Sequence, residues 1–226
     1  MYPPKCPICN SLLPEGKLAC TKCRDSLPYI TEPRCKKCGK KIISDRLELC
    51  PDCKQYNHSF EQARAVWVLK GDIQKSIYAF KFANKRDYAR FYASEAVRLN
   101  GEWIKEIAPN IIIPVPLHSS KRRERGYNQS FLVAREISKL VNIPASEDIL
   151  LKIAETQAQK KLSRTERKNN LKNAFKIGNS ALQYKRVLVV DDIYTTGSTA
   201  DAVSDVLYEA GAEAVYVLCV CTGENY

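Results

Sequence analysis

Eight of the ten cysteines in the 226-residue chain stand in four Cys-x-x-Cys pairs that recur every 14 to 15 residues. Two residues between a pair of thiolates let one tight turn aim both sulfur atoms at a single tetrahedral ion, and two such turns complete the ligand set. The pattern predicts two closed four-cysteine sites that bind structural Zn²⁺ and together form a double zinc ribbon over residues 1–60. The predicted ligands are Cys6, Cys9, Cys20, Cys23, Cys35, Cys38, Cys50 and Cys53.

Two other kinds of site use the same ligands. A disulfide framework is typical of secreted chains, but the first residues, MYPPKCPICN, lack the apolar segment of a secretion signal. Iron–sulfur clusters are rarer at this spacing. Zinc is therefore the favoured interpretation. Sequential pairing of the four turns gives two ribbons in tandem, and a crossed pairing stays open. The remaining cysteines, Cys219 and Cys221, alternate in an apolar run and are predicted to be core residues.

From residue 63 the pattern changes to apolar runs that alternate with amphipathic segments. Such alternation predicts an α/β domain over residues 63–226, with a parallel sheet covered by helices on both faces. Ligands of such sheets bind beyond the carboxyl ends of the strands. The predicted strands span residues 63–69, 111–117, 187–192 and 214–221, and the predicted helices span 72–83, 87–107, 129–141 and 197–212.

Charge is unevenly distributed along the chain. Residues 63–186 carry 25 Lys and Arg against 11 Asp and Glu, whereas residues 187–226 carry seven acidic residues and no basic one. A basic middle segment favours a phosphate-bearing partner, although a solvated basic surface is the alternative. Thiolates and zinc together bring the charge of the first segment close to zero, so the zinc module is interpreted as a scaffold or docking surface, with contact to DNA as the alternative.

The stretch VLVVDDIYTTGST at 187–199 carries the most chemical information. A turn rich in hydroxyls and glycine before a helix can hold a phosphate through backbone N–H groups. Asp191 and Asp192 would repel that phosphate but suit a vicinal diol. A phosphate close to a diol describes a ribose 5-phosphate. The alternative, a response-regulator pocket, has its acidic pair after the first strand and lacks such a turn.

Two basic segments could bind further phosphates. Lys121, Arg122, Arg123 and Arg125 place four cations within five positions, which suits a departing pyrophosphate, although they also fit a solvated helix start. Residues 156–172 are charged without apolar periodicity, which suits a lid over an anion or a plain surface helix. Lys81 could reach the pyrophosphate or lie on the surface. His58 and His118 receive no catalytic role.

The stretch at 187–199 closely resembles the phosphoribosyl-pyrophosphate (PRPP) signature of type I phosphoribosyltransferases. With the four Cys-x-x-Cys turns, the segments IPVPLHSSKRRERGYNQS (113–130) and QKKLSRTERKNNLKNAF (159–175) resemble the ComF family of competence-associated proteins over essentially the whole chain. The resemblance implies a type I phosphoribosyltransferase domain behind a double zinc ribbon. It implies that Asp191 and Asp192 hold the ribose hydroxyls and that Gln159 and Arg167 belong to a catalytic lid.

The same resemblance assigns the remaining donor contacts. It implies a 5-phosphate loop and a pyrophosphate loop with a strained peptide bond. The PRPP-binding residues that it implies are Asp191, Asp192, Thr195, Thr196, Gly197, Ser198, Thr199, Pro116, Leu117 and His118, and the charge of the arginine cluster adds Arg122, Arg123 and Arg125.

The expected activity is Mg²⁺-dependent transfer of a phosphoribosyl group from PRPP to an unidentified acceptor, usually a nitrogen nucleophile. The resemblance also implies a role in handling imported single-stranded DNA during natural transformation, with a helicase partner. The alternative is a non-catalytic protein that binds nucleic acid or senses PRPP. Because no apolar run is long enough to span a membrane, we expect a cytoplasmic protein that reaches the inner membrane face only through partners.

Overall fold

The computed structural model describes residues 4–154, 171, 173–178 and 183–223. Two short helices, α1 (Thr21–Asp25) and α2 (Pro51–Gln55), occupy equivalent places in two similar cysteine-containing units. In each unit the helix begins directly after a cysteine, Cys20 or Cys50, so the second Cys-x-x-Cys pair lies at a helix start. The first pair of each unit lies in a tight turn closed by a backbone bond, from Asn10 N–H to Cys6 or from Gly39 N–H to Cys35.

A four-stranded parallel sheet forms the centre of the rest of the chain. Its strands are β1 (Gln62–Val68), β2 (Ile111–Pro114), β5 (Arg186–Tyr194) and β6 (Ala214–Thr222), in the order β1-β6-β5-β2. The last strand of the chain therefore lies between the first strand and β5. Two three-residue strands, β3 (Leu150–Lys152) and β4 (Phe175–Ile177), form a separate antiparallel pair. The parallel sheet confirms the predicted fold class.

Helices cover both faces of the sheet. The helices are α3 (Gly71–Phe82), α4 (Tyr88–Ile107), α5 (Ser119–Arg125), α6 (Gln129–Val141) and α7 (Ser198–Glu209). Apolar residues of α3, α4 and α6 pack on one face, and α7 packs on the other together with the second cysteine unit. Because side chains alternate along β5, Val187 and Val189 enter one core and Leu188 and Val190 the other.

Two strand ends differ from the predicted ones by two residues or more. The strand predicted over 111–117 ends at Pro114, although the Val115 N–H still donates to Val190. The strand predicted over 187–192 continues to Tyr194, because pairing with β6 continues to Thr222. The acidic pair thus lies within the strand, as predicted, with two further strand residues after it. Helix α5 and strands β3 and β4 are absent from the prediction, because they are too short to show periodicity.

The second cysteine unit packs into the same apolar cluster as the sheet. A division of the chain into residues 1–60 and 63–226 stays a prediction. Among the described residues, no helix combines the length and apolar composition that crossing a membrane requires.

Candidate functional site

The acidic pair lies near the carboxyl end of β5, with its two side chains on opposite faces of the strand. Asp191 Oδ1 accepts hydrogen bonds from the Ser130 hydroxyl, at 3.0 Å, and from the backbone N–H of Asp192, at 2.8 Å. Asp192 Oδ2 lies 2.8 Å from Lys81 Nζ, an ion pair without the angles of a directed hydrogen bond. Lys81 therefore lies at the site. From the sequence alone, a position on the surface was equally plausible for this lysine.

Burial and the neighbouring Asp192 raise the pKa of Asp191 to about 7, with Lys81 and Ser130 acting in the opposite direction. An isolated aspartate has a pKa near 3.9, so this carboxyl is partly protonated at neutral pH. A partly protonated carboxyl group can donate a hydrogen bond to a sugar hydroxyl or accept one from it.

A short segment leads from β5 into the first two residues of α7 and consists of Thr195, Thr196, Gly197, Ser198 and Thr199; we call it the donor loop. Gly197 has φ of +82°, and a Cβ there would lie 2.5 Å from both His58 Cε1 and Tyr194 Oη, so no other residue fits without displacement. The Thr196 and Ser198 hydroxyls lie 3.0 Å apart. A cleft opens between this loop and the sheet, lined in part by Val115, Asp191 and Thr195.

The segment from Pro116 to His118 leads from β2 into α5. The His118 ring accepts a hydrogen bond from the Ser120 backbone N–H and so caps the helix. The peptide bonds of this segment are trans, and the one cis bond among the described residues is Glu32–Pro33. The prediction of a strained bond in the pyrophosphate loop is therefore wrong for this structure: Pro116 is buried, and Leu117 is half-buried in an ordinary backbone conformation.

The predicted arginine cluster forms helix α5, and its members have different surroundings. Arg122 pairs with Glu147 at 3.0 Å, and its side chain is 55% exposed. The Arg125 guanidinium lies 5.1 Å from the centre of the Phe82 ring and donates to Gln129. Arg123 is exposed. The cluster thus presents positive charge at the surface beside α3.

The RGYNQS segment connects this basic helix to the acidic pair. Gly126 ends α5 with a left-handed conformation, and Tyr127 is buried with its hydroxyl bonded to the Phe80 carbonyl. Asn128 caps α6 and also donates to the Val115 carbonyl at 3.0 Å. Two residues later, Ser130 reaches Asp191. The sequence marked this segment as family-specific but gave Ser130 no role, because only the tertiary structure brings it to β5.

Each cysteine unit gathers four sulfur atoms that lie within 4.8 Å of one another. Cys20 Sγ is 3.7 Å from the sulfur atoms of Cys6 and Cys9, and Cys38 Sγ is 3.6 Å from that of Cys50. Four thiolates at about 2.3 Å from Zn²⁺ would form a tetrahedron with edges of about 3.8 Å. The geometry of both groups therefore fits a structural zinc ion, and the four Cys-x-x-Cys turns pair in the order of the sequence. The members are Cys6, Cys9, Cys20 and Cys23 in one group, and Cys35, Cys38, Cys50 and Cys53 in the other.

The predicted lid lies outside the described residues for nearly all its length. Gln159 and Arg167 both fall there. Their placement relative to the acidic pair therefore stays a prediction.

Known proteins provide an independent comparison. Residues 1–54 match the model of the Double zinc ribbon domain. The chain is 32% identical over 216 residues to Competence protein F of Haemophilus influenzae, covering 88% of this chain and 94% of that protein. It is 29% identical over 191 residues to DNA utilization protein YhgH of Escherichia coli K12, covering 83% of each. A solved purine phosphoribosyltransferase from Pyrococcus horikoshii is similar over 58% of this chain and 73% of its own, with 18% identity and a TM-score of 0.37.

The relative from Haemophilus influenzae decides the family, since its identity to this chain extends over nearly the full length of both proteins. The resemblance drawn from the sequence motifs is thereby confirmed, and the chain belongs to the ComF family.

Proposed function

We propose that this protein binds PRPP at the donor loop and transfers its phosphoribosyl group, with release of pyrophosphate. The observation that carries the proposal is the acidic pair on β5 directly before a glycine-dependent loop at a helix start. Phosphate binding explains the loop, because backbone N–H groups at a helix N-terminus attract anions. It does not explain Asp191 and Asp192, which suit a second, hydroxyl-bearing part of the same ligand.

Each part of PRPP has candidate partners. The donor loop would bind the 5-phosphate through N–H groups and the hydroxyls of Thr195, Thr196, Ser198 and Thr199. The acidic pair would accept hydrogen bonds from the 2- and 3-hydroxyls of the ribose. Residues Pro116 to His118, with the arginines of α5, would face the pyrophosphate. Arginine is suited to this role because its fork of N–H donors matches pairs of phosphate oxygens.

The residues present also fit a magnesium ion bound together with PRPP. Mg²⁺ commonly takes one or two carboxylates and completes its shell with substrate oxygens and water. Asp192 Oδ2 is buried and carries the ion pair with Lys81 at 2.8 Å but no directed hydrogen bond within the described residues, so it keeps a lone pair for a further ligand. Asp191 and Asp192 would hold the ion through the ribose hydroxyls or directly. When bound, the ion would neutralise charge that develops on the departing pyrophosphate.

The protein side of the reaction is orientation and charge placement. Lys81, already paired with Asp192, would keep a cation close to the breaking bond between the anomeric carbon and pyrophosphate. A nucleophile, usually a nitrogen, would form the new bond at that carbon. A lid containing Gln159 and Arg167 would exclude water, which otherwise hydrolyses the donor. The word competence in the name of the Haemophilus relative supports a role in natural transformation, where the chain would handle imported single-stranded DNA with a helicase partner.

A thermal-shift series tests the donor site. PRPP with Mg²⁺ should raise the melting temperature of the wild-type protein, because a ligand at 100 times its dissociation constant adds about 2.7 kcal/mol of stability. Asp191→Ala and Asp192→Ala should keep the fold and lose the shift. Asp205→Ala, an exposed aspartate on α7, serves as the matched control and should keep it. An unchanged shift in both site variants would contradict the assignment.

One observation favours a second function, the binding of single-stranded nucleic acid. Tyr78 and Phe82 stack on the outer side of α3, with ring centres 6.1 Å apart, and are 52% and 67% exposed. Arg125 lies over the Phe82 ring, and Arg122 and Arg123 lie on the same helix α5. Exposed aromatic rings beside arginines are the usual platform for stacked bases. Tyr127, the aromatic residue nearest to α5 in the sequence, is buried.

Fluorescence anisotropy with a labelled oligothymidine would separate the two functions. Phe82→Ala should weaken binding about fivefold or more, because stacking of one base contributes roughly 1–3 kcal/mol. Leu140→Ala, a similarly exposed apolar residue on α6, is the control and should have no effect. Equal affinities for the wild type and Phe82→Ala would rule out this platform while leaving the donor site untouched.

A further inference from the structure

His58 lies beneath the donor loop although it is distant from it in sequence. It belongs to the segment between α2 and β1, and its side chain is 1% exposed. Its ring stacks on Phe60 with centres 4.8 Å apart. Nδ1 lies 3.0 Å from each carboxylate oxygen of Asp201, and Nε2 lies 3.2 Å from Tyr194 Oη. The imidazole is thus held from both sides by residues that flank the donor loop.

The ring also forms part of the floor of the loop. A Cβ at Gly197 would lie 2.5 Å from His58 Cε1 and 2.9 Å from His58 Nδ1. The left-handed turn at Gly197 therefore passes directly over the imidazole. Moving or removing the ring would open space below the residue that gives the loop its shape.

The position of Asp201 gives a physical reason for a histidine at residue 58. It lies in the first turn of α7 and is 6% exposed, close to a loop proposed to bind a phosphate. A buried carboxylate in that place would oppose an anionic ligand unless its charge is dispersed. His58 Nδ1–H is shared between both carboxylate oxygens, and the Ser59 backbone N–H donates to Oδ1 at 3.0 Å. These donors disperse the charge and fix the ring.

We propose that His58 is a positioning residue for the donor loop, supplied by the segment that follows the second cysteine unit. Clamped between Asp201 and Tyr194, its imidazole keeps Gly197 in the conformation that binds the 5-phosphate of the donor. His58 touches no substrate in this account. The inference deepens the proposed function and rests on it for the identity of the ligand, whereas the support given to the loop can be measured without any ligand.

Hydrogen exchange and PRPP titration on the full zinc-loaded chain test the inference. His58→Leu removes both ring hydrogen bonds, whereas His58→Asn keeps an N–H donor on the side of Asp201. Phe60→Leu changes the packing against the ring and leaves its hydrogen bonds. In His58→Leu we expect exchange in residues 195–201 to rise about tenfold and PRPP affinity to fall about tenfold, with α4 unchanged. His58→Asn should recover part of both effects.

Each result of these experiments either supports or overturns the positioning role of His58. Unchanged loop exchange in a folded His58→Leu protein overturns the positioning role. A rise that extends through the sheet, or is equal in Phe60→Leu, also overturns it, because it shows general loss of packing. Should His58→Leu not fold, Asp201→Ala removes the group that holds the ring and gives the same decision. A wild type that does not bind PRPP would refute the proposed function, while a loop-specific rise in exchange would still support the role of His58.

Discussion

The two cysteine units follow the same sequence pattern but have different surroundings. In the first unit Cys9 is exposed and Cys20 and Cys23 are half-buried, whereas all four cysteines of the second unit are buried. The first unit lies against α4, where Asn10 accepts a hydrogen bond from Tyr88. The second unit shares an apolar cluster with the sheet, including Tyr194 at the start of the donor loop.

This difference shows that two units with the same Cys-x-x-Cys pattern can contribute differently to the packing of the fold. The first unit contacts α4 through hydrogen bonds, and its residues Ile8, Leu18 and Ala19 pack only at the edge of an apolar cluster. The second unit replaces a helix on one face of the sheet and contacts β1 directly through Gly39, whose Cβ would lie 2.5 Å from the Ala63 carbonyl oxygen. We therefore expect damage to the second unit to reach the donor site and damage to the first to stay local.

The largest expected effect comes from removing one zinc ligand in each unit. Structural zinc contributes roughly 10–16 kcal/mol in isolated zinc fingers, as much as the total stability of a typical domain. Cys38→Ser should therefore prevent cooperative folding, as followed by circular dichroism during heating. Cys9→Ser should lose one zinc ion, measured by elemental analysis, and keep the melting transition of the sheet. Similar melting curves for the two variants would remove the distinction between the units.

A gentler comparison uses one glycine from each unit. Gly16 and Gly39 have φ values of +78° and +70°, so alanine at either position has a similar backbone cost of about 1–2 kcal/mol. A Cβ at Gly16 meets nothing within 4 Å, whereas one at Gly39 collides with the backbone of Ala63 and Arg64. Urea denaturation should show Gly39→Ala to be less stable than Gly16→Ala by more than about 2 kcal/mol. Equal midpoints would show that the second unit is loosely attached.

The attachment of the first unit depends on a buried carboxylate. Glu95 of α4 is 1% exposed and receives hydrogen bonds from Tyr29 at 2.8 Å and from Arg98 at 2.7 Å, and it pairs with Arg24 of α1. Burial alone would raise the pKa of Glu95, but the hydrogen bonds from Arg98, Tyr29 and Arg24 lower it overall. A lowered pKa means that this group stabilises the fold above about pH 4.3 and that the stabilisation is lost on acidification.

We expect Glu95→Gln to cost about 2 kcal/mol at neutral pH, because charged donors lose a buried charged partner. The exposed Glu102 of the same helix pairs with Lys105 and provides the control, and Glu102→Gln should cost less than about 0.5 kcal/mol. Chemical denaturation at pH 7 measures both. A loss in Glu102→Gln as large as in Glu95→Gln would show that the anchor is not specific.

The last comparison contrasts the two buried carboxylates by how their contributions to stability depend on pH. The pKa of Asp191 is raised to about 7, so its ionisation opposes folding, the reverse of Glu95. Between about pH 4 and pH 7 the folded state holds a proton that the unfolded state has released, so stability falls as pH rises through this window. The slope is of order 1 kcal/mol per pH unit. Asp191→Asn should flatten the slope, measured from melting temperatures at pH 5, 6 and 7, and an unchanged slope would exclude Asp191 as its source.

The sequence allowed the four long strands, the parallel sheet and the two four-cysteine groups to be predicted, since periodicity and ligand spacing are local properties. It did not reveal the contacts that join distant segments at the site. Lys81, Ser130 and His58 reach the acidic pair or the donor loop only because α3, α6 and the segment before β1 converge on β5. Their individual positions carry no local signal. Tyr78 and Phe82 lie four residues apart, a spacing that is typical of the buried face of a helix. Only the structure shows that both side chains are exposed.

Calorimetric titration of PRPP into the zinc-loaded protein, with and without Mg²⁺, tests whether β5 and the donor loop form a PRPP site. We expect saturable binding of one PRPP per chain with Mg²⁺, weaker binding without it, and none in Asp192→Ala. The absence of binding at millimolar PRPP in a folded, zinc-loaded protein would contradict a PRPP site at β5 and the donor loop.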